Sequence, residues 1–168
     1  SSGMAALSPH TAFGDYELLA RVARGGMGEV WRAQKVGPDG WAKQVALKLV
    51  CPTYDEERFA KMFLSEAKIA ARLDHPNIVG VFAYGRSGEH LWLEQELVEG
   101  LDLARFVKQQ GKLDQPIALY ILSQVLEALR YAHALTDPGG KALGIVHRDV
   151  KPANVLVSRE GHVKLSDF

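Results

Sequence analysis

Residues 147–168 read HRDVKPANVLVSREGHVKLSDF, and this tail decides how the rest of the chain is read. Val155-Leu156-Val157 and Val163-Lys164-Leu165 are short apolar runs, and the stretch from Ser158 to His162, with Gly161, is turn-forming. That pattern is a β-hairpin. Asn154 precedes its first strand and Asp167 follows its second. A hairpin brings its open ends together, so these two side chains are expected to converge. Two hard oxygen ligands at one point suit Mg²⁺, which keeps waters and phosphates as its remaining partners. Asp149 lies on the loop entering the hairpin, near such a cation without having to bind it. A carboxylate there can accept a proton from an attacking hydroxyl. Lys151 can face the same way and neutralise a transferring phosphate. Pro152 limits the loop's freedom.

Working back from the tail, Asp114 to Ala134 has helical spacing, with Asp114 as N-cap and Leu122, Val125, Leu126, Leu129 and Ala132 on one stripe. Asp137 to Gly144 is a Gly- and Pro-containing loop, and Leu103 to Val107 a short helix. Strands are expected near Ile78–Tyr84 and Leu91–Val98. Asp55 to Leu73 reads as a helix whose apolar face holds Phe59, Met62, Phe63, Ile69, Ala70 and Leu73, with Glu66 on that same face. A carboxylate in an apolar stripe is costly unless paired, so a buried or half-buried cationic partner is expected for Glu66. Before that helix, Gln44 to Val50 is strongly strand-like, and alternation puts Ala46 and Lys48 on one face and Val45 and Leu47 on the other. Lys48 is the natural partner for Glu66. Residues 16–24 and 30–34 form a hairpin whose tip, Gly25-Gly26-Met27-Gly28, lets backbone N–H groups come close to a phosphate. The order is five strands with one inserted helix, then mostly helix.

The joint pattern resembles the catalytic domain of bacterial eukaryotic-like (Hanks-type) Ser/Thr protein kinases. The carriers are His147-Arg148-Asp149 with Lys151 and Asn154, then Asp167-Phe168, the strand Val45-Ala46-Leu47-Lys48, and the loop ending Gly25-Gly26-Met27-Gly28-Glu29-Val30. Lys151, two places after the Asp, is the Ser/Thr-kinase form. One departure is Ala23, where the family has its first loop glycine.

The resemblance implies an α+β, two-lobed fold with a five-stranded antiparallel N-lobe sheet, one N-lobe helix and a partial, mainly helical C-lobe. Ser1-Ser2-Gly3 before Met4 looks like a tag scar, and 1–15 is expected to be that scar and a flexible N-terminus; the resemblance implies an N-lobe over 16–98 and a C-lobe part over 99–168, with the catalytic part cytoplasmic and the parent protein able to carry a membrane anchor. ATP and Mg²⁺ (with Mn²⁺ as an alternative) are the implied cofactors, and a protein Ser/Thr hydroxyl is the implied acceptor. Asp149 is then the catalytic base, Lys151 a contact of the transferring phosphate, and Asn154 and Asp167 the metal ligands. Lys48 contacts the α/β-phosphates with Glu66 positioning it. Gly25, Gly26, Met27 and Gly28 cover the nucleotide. Val30, Ala46 and Leu156 sandwich the adenine, Gln95 is the gatekeeper, and Glu96, Leu97 and Val98 form the hinge.

Composition narrows the alternatives. Lys plus Arg and Asp plus Glu are both 20, so the footprint of a nucleic-acid binder is missing. The single cysteine, Cys51, cannot form a disulfide within the chain, which fits a reducing compartment. No apolar run is long enough to span a membrane, so no membrane contact by this segment is expected. The expected activation segment and later C-lobe helices are not in the sequence, and the 114–134 helix is then expected to show apolar surface through which dimerisation can occur. The rival reading is a nucleotide- or partner-binding fragment without catalysis of its own. A small-molecule phosphotransferase is disfavoured by Lys151 and by the GGMGEV loop.

Overall fold

The computed structural model describes residues 6–25 and 28–168. They fall into two compact units, one of residues 6–69 and 81–97, the other of residues 70–80 and 98–168. Residues 70–80, although flanked in sequence by the first unit, belong to the second.

In the first unit the described residues form an antiparallel sheet of six strands: β1 (Ala12–Phe13), β2 (Tyr16–Arg24), β3 (Gly28–Val36), β4 (Ala42–Val50), β5 (Val81–Ser87) and β6 (His90–Gln95). Their spatial order is β1-β2-β3-β4-β6-β5. Five of these are the strands read from the sequence. The two-residue β1 is an addition, pairing Phe13 with Tyr16, and Phe13 is buried. The flexible leader expected over 1–15 is thus corrected for residues 12–13: an aromatic side chain docked on the sheet gains more by burial than the short segment loses in chain entropy.

Alternation along β4 divides two layers. Val45, Leu47 and Leu49 enter a core with Leu18, Trp31, Ala33, Tyr16 and Phe13. Val50, on the other face, packs with Leu91 and with Ala60, Phe59 and Phe63 of helix α1 (Glu56–Ala70). Each fully buried leucine here contributes roughly 1.5–3 kcal/mol of transfer free energy.

The second unit holds helices α2 (Leu103–Gln110) and α3 (Gln115–Ala134) and a three-stranded sheet, β7 (Gly100–Asp102), β8 (Val155–Ser158) and β9 (Val163–Leu165). Asp102 caps α2 by accepting the Arg105 N–H at 2.9 Å. Gly100 is obligatory in β7, because a β-carbon there would collide with the Val157 carbonyl. The core joins Ile121, Val125, Ala128 and Ala132 of α3 to Val155, Val163 and Leu165, with Leu73, Ile78 and Ile145. The buried stripe of α3 is rotated from the one expected: Leu122 and Leu126 are 53% and 54% exposed, because the face carrying Ile121 and Val125 meets β9. No helix of the described residues is long and apolar enough to cross a membrane.

Candidate active site

The hairpin of β8 and β9 pairs Val155 with Leu165, so the residues just outside it face each other. Ser166 donates its N–H to the Asn154 carbonyl at 2.9 Å, and its hydroxyl reaches the same oxygen at 3.2 Å. Asp167, next along, has φ of 59°, a left-handed conformation that few non-glycine residues adopt. Asn154 is only 6% exposed. Its amide nitrogen donates to the Asp149 carbonyl at 2.9 Å and to Asp149 Oδ2 at 3.2 Å. Lys151 Nζ lies 3.3 Å from that same Oδ2, with both side chains more than half exposed.

His147 closes the arrangement. The Asp149 N–H donates to its Nδ1 at 3.1 Å, so the ring proton sits on Nε2, which meets the Ser166 carbonyl at 2.6 Å. The ring also packs edge-on against Phe168, with centroids 4.6 Å apart. Both ring nitrogens are committed, so His147 is a strut between the loop and the Asp-Phe segment. Arg148 has φ of 72° and is exposed. Ser166 escaped sequence reasoning. A serine before an aspartate reads as an ordinary turn residue, and only the pairing of Val155 with Leu165 reveals its contact.

The donor set fits a divalent cation. With its nitrogen turned to Asp149, the Asn154 amide has its oxygen left as a ligand, and the Asp167 carboxylate follows immediately after the hairpin. Two hard oxygens of this kind match Mg²⁺.

In the first unit, Lys48 on β4 pairs with Val30 on one side and Leu93 on the other, and is half-buried. Ala46, on the same face, pairs with Gln95. Glu96, Leu97 and Val98 follow β6 without regular structure and are half-buried. Gly25 and Gly28 exchange backbone hydrogen bonds at 2.9 and 3.3 Å, while Gly26 and Met27 lie outside the described residues. Gly28 has a packing reason to be glycine, since a β-carbon would stand 2.9 Å from the Leu49 carbonyl. Leu156 sits in the second unit, on β8 between Asp102 and Lys164.

Glu66 departs from expectation. It is exposed, and among the described residues no ion pair involves it. It lines an open hollow of about 350 Å³ with Arg58, Lys61, Met62 and Ser65. The buried pairing expected for it is therefore corrected. The buried positions of α1 are Ala60 and Ala67, with Phe59 and Phe63 against the sheet, and Met62, counted in the apolar stripe, is 55% exposed.

The model of the protein kinase domain matches residues 16–168. The chain belongs to the protein kinase family. The kinase PknH of Mycobacterium tuberculosis, described as a serine/threonine-protein kinase, is 40% identical over 157 residues, 93% of this chain and 23% of that protein. PrkC of Bacillus subtilis, also described as a serine/threonine-protein kinase, is 34% identical, over 92% of this chain and 22% of its own length. MasK of Myxococcus xanthus, described as a tyrosine-protein kinase, is 33% identical over 93% of this chain and 25% of its own length. The chain thus spans about a quarter of the length of each of these three relatives. The crystal structure of the M. tuberculosis PknI kinase domain superposes with a TM-score of 0.80 at 31% identity, covering 97% of this chain and 61% of that one. The kinase fold is that of this chain, and its homology is to bacterial Hanks-type Ser/Thr kinases.

Proposed function

We propose that the protein carrying this chain transfers the γ-phosphoryl group of ATP to serine and threonine hydroxyls of proteins. The observation that carries the reading is the hydrogen-bonded group of Asp149, Lys151, Asn154 and Ser166. Asn154 holds the Asp149 carboxylate through Oδ2, which aims it while leaving its other oxygen to take the hydroxyl proton. Lys151, close enough to Asp149 to share its orientation, neutralises charge on the moving phosphoryl group. Asn154 and Asp167 would hold Mg²⁺, which supplies charge neutralisation and alignment of the phosphates.

Lys48, held on β4 between Val30 and Leu93, binds the α/β-phosphates. Glu66 is proposed as its partner in the reacting state, reached by rotation or shift of α1. Gly25, Gly26, Met27 and Gly28 cover the phosphates. Val30, Ala46 and Leu156 hold the adenine ring, Gln95 stands behind it, and the backbone of Glu96, Leu97 and Val98 reads its edge. Use of ATP and the free thiol of Cys51 are in keeping with a cytoplasmic catalytic part.

The preference for Ser/Thr rests on Lys151, and the similarity to MasK makes tyrosine the competing acceptor. Incubation of the whole protein with labelled ATP and Mg²⁺, followed by phosphoamino-acid analysis, tests both. Phosphoserine or phosphothreonine, reduced about 10²–10⁴-fold by Asp149→Asn, is expected. Phosphotyrosine alone would replace the acceptor assignment. Nucleotide binding without any transfer would favour a binding role.

A further inference from the structure

Glu94 is the one buried carboxylate among the described residues, 4% exposed, and the phosphoryl-transfer reading makes no use of it. It stands on β6 immediately before Gln95 and the 96–98 segment. Strand alternation turns its side chain away from Leu93 and Gln95, towards the layer that contains Leu47, its partner in the register. There the Tyr16 hydroxyl donates to Glu94 Oε1 at 2.5 Å, and Lys35 Nζ meets the same oxygen at 3.2 Å. Tyr16 and Lys35 are themselves opposite one another in the β2–β3 register, with Nζ 5.7 Å from the Tyr16 ring. One carboxylate oxygen thus ties β2 and β3 to β6, across the intervening β4.

An apolar side chain would glue these strands together without the desolvation cost of a charge. What the carboxylate adds is direction, because its oxygen must lie within reach of two donors fixed on other strands. We propose that Glu94 is a positioning residue: by anchoring β6 through Tyr16 and Lys35 it fixes the rotation of the strand end, and so sets where the backbone groups of residues 96–98 present themselves to an adenine edge. This rests on the nucleotide reading above and assigns to that site its source of base discrimination. A strand freed to rotate shifts the backbone groups after Gln95 while leaving Lys48 and its β3–β4 pairing in place. Recognition of the base should then suffer more than recognition of the triphosphate.

The test compares dissociation constants of ATP and GTP, each with Mg²⁺, by calorimetric titration of this chain and of Glu94→Gln. Tyr16→Phe serves as a second variant that retains the ring packing against Trp92. Preference for ATP over GTP is expected in the unsubstituted chain, and is expected to fall roughly threefold or more in both variants, through loss of ATP affinity. Equal weakening of the two nucleotides would mean a general loss of folded protein, and would overturn the positioning role. Unchanged preference in both variants, or equal affinities in the unsubstituted chain, would overturn it as well. Failure of the unsubstituted chain to bind either nucleotide would instead overturn the function proposed above, and this inference with it.

Discussion

The catalytic-loop hairpin and helix α1 make an instructive pair. Both were read from the sequence as carriers of essential acids. In the hairpin, Asp149, Asn154 and Ser166 are joined by direct hydrogen bonds, and His147 braces them. On α1, Glu66 is exposed beside Arg58 and Lys61, with its carboxylate in none of the ion pairs of the described residues. The difference is one of range and of cost. The hairpin contacts join residues at most 19 apart in the chain and close on a strand pairing that its own sequence dictates. The ion pair expected of Glu66 would depend on how a whole helix is turned about its axis, and that is set by Phe59, Ala60 and Phe63 against the sheet. A local motif assembles with its hairpin; a long-range ion pair can wait for a ligand to repay its desolvation.

Substitutions separate the two regions. Asn154→Leu should have the largest effect, because it removes the donor to Asp149 from a buried position. A loss of about 1–3 kcal/mol in urea unfolding at unchanged slope is expected, together with loss of any Mg²⁺-dependent nucleotide response. If stability is unchanged, the hairpin is not held as described. His147→Phe retains an aromatic ring against Phe168 but leaves the Ser166 carbonyl and the Asp149 N–H without their partner; about 1 kcal/mol is expected by the same measurement.

Tyr16 sharpens the contrast from within the first unit. Burial, then its hydrogen bond to Glu94 and the charge of that carboxylate, push its phenol well above the usual value. The folded state therefore keeps a proton that the unfolded chain releases near pH 10. The resulting stability is complete below about pH 10 and declines as the pH rises beyond it. Unfolding measured from pH 8 to 11 should show this decline relative to Tyr16→Phe, and parallel curves would contradict the buried contact. The smallest effect is expected for Glu66→Gln, within about 0.5 kcal/mol, as for an exposed residue without a structural partner. A loss above 1 kcal/mol would place Glu66 in a buried pair after all.

How much was legible follows the same division. The hairpin, the long helix and the five main strands announce themselves by periodicity and by turn residues. The two-residue β1 and three-residue β7 are too short to show a period, and they form because Phe13 finds a core and Gly100 fits against Val157. Glu94 was hidden because a charged residue in a strand reads as solvent-facing; nothing in the local sequence announces that Tyr16 and Lys35 will meet it. The rotation of α3, which buries Ile121 and Ala128 and exposes Leu122 and Leu126, escaped because that helix is apolar on more than one side.

The central proposal is that the chain binds ATP together with Mg²⁺, the cation being held at the end of the β8–β9 hairpin. The direct test is thermal unfolding of this chain with ATP, with and without Mg²⁺, beside Asp167→Asn. A ligand at a hundredfold excess over its dissociation constant stabilises the folded state by about 2.7 kcal/mol. The account predicts a clear rise in melting temperature that needs Mg²⁺ and is weakened in the variant. A cooperative melt that neither ATP nor Mg²⁺ shifts would contradict it.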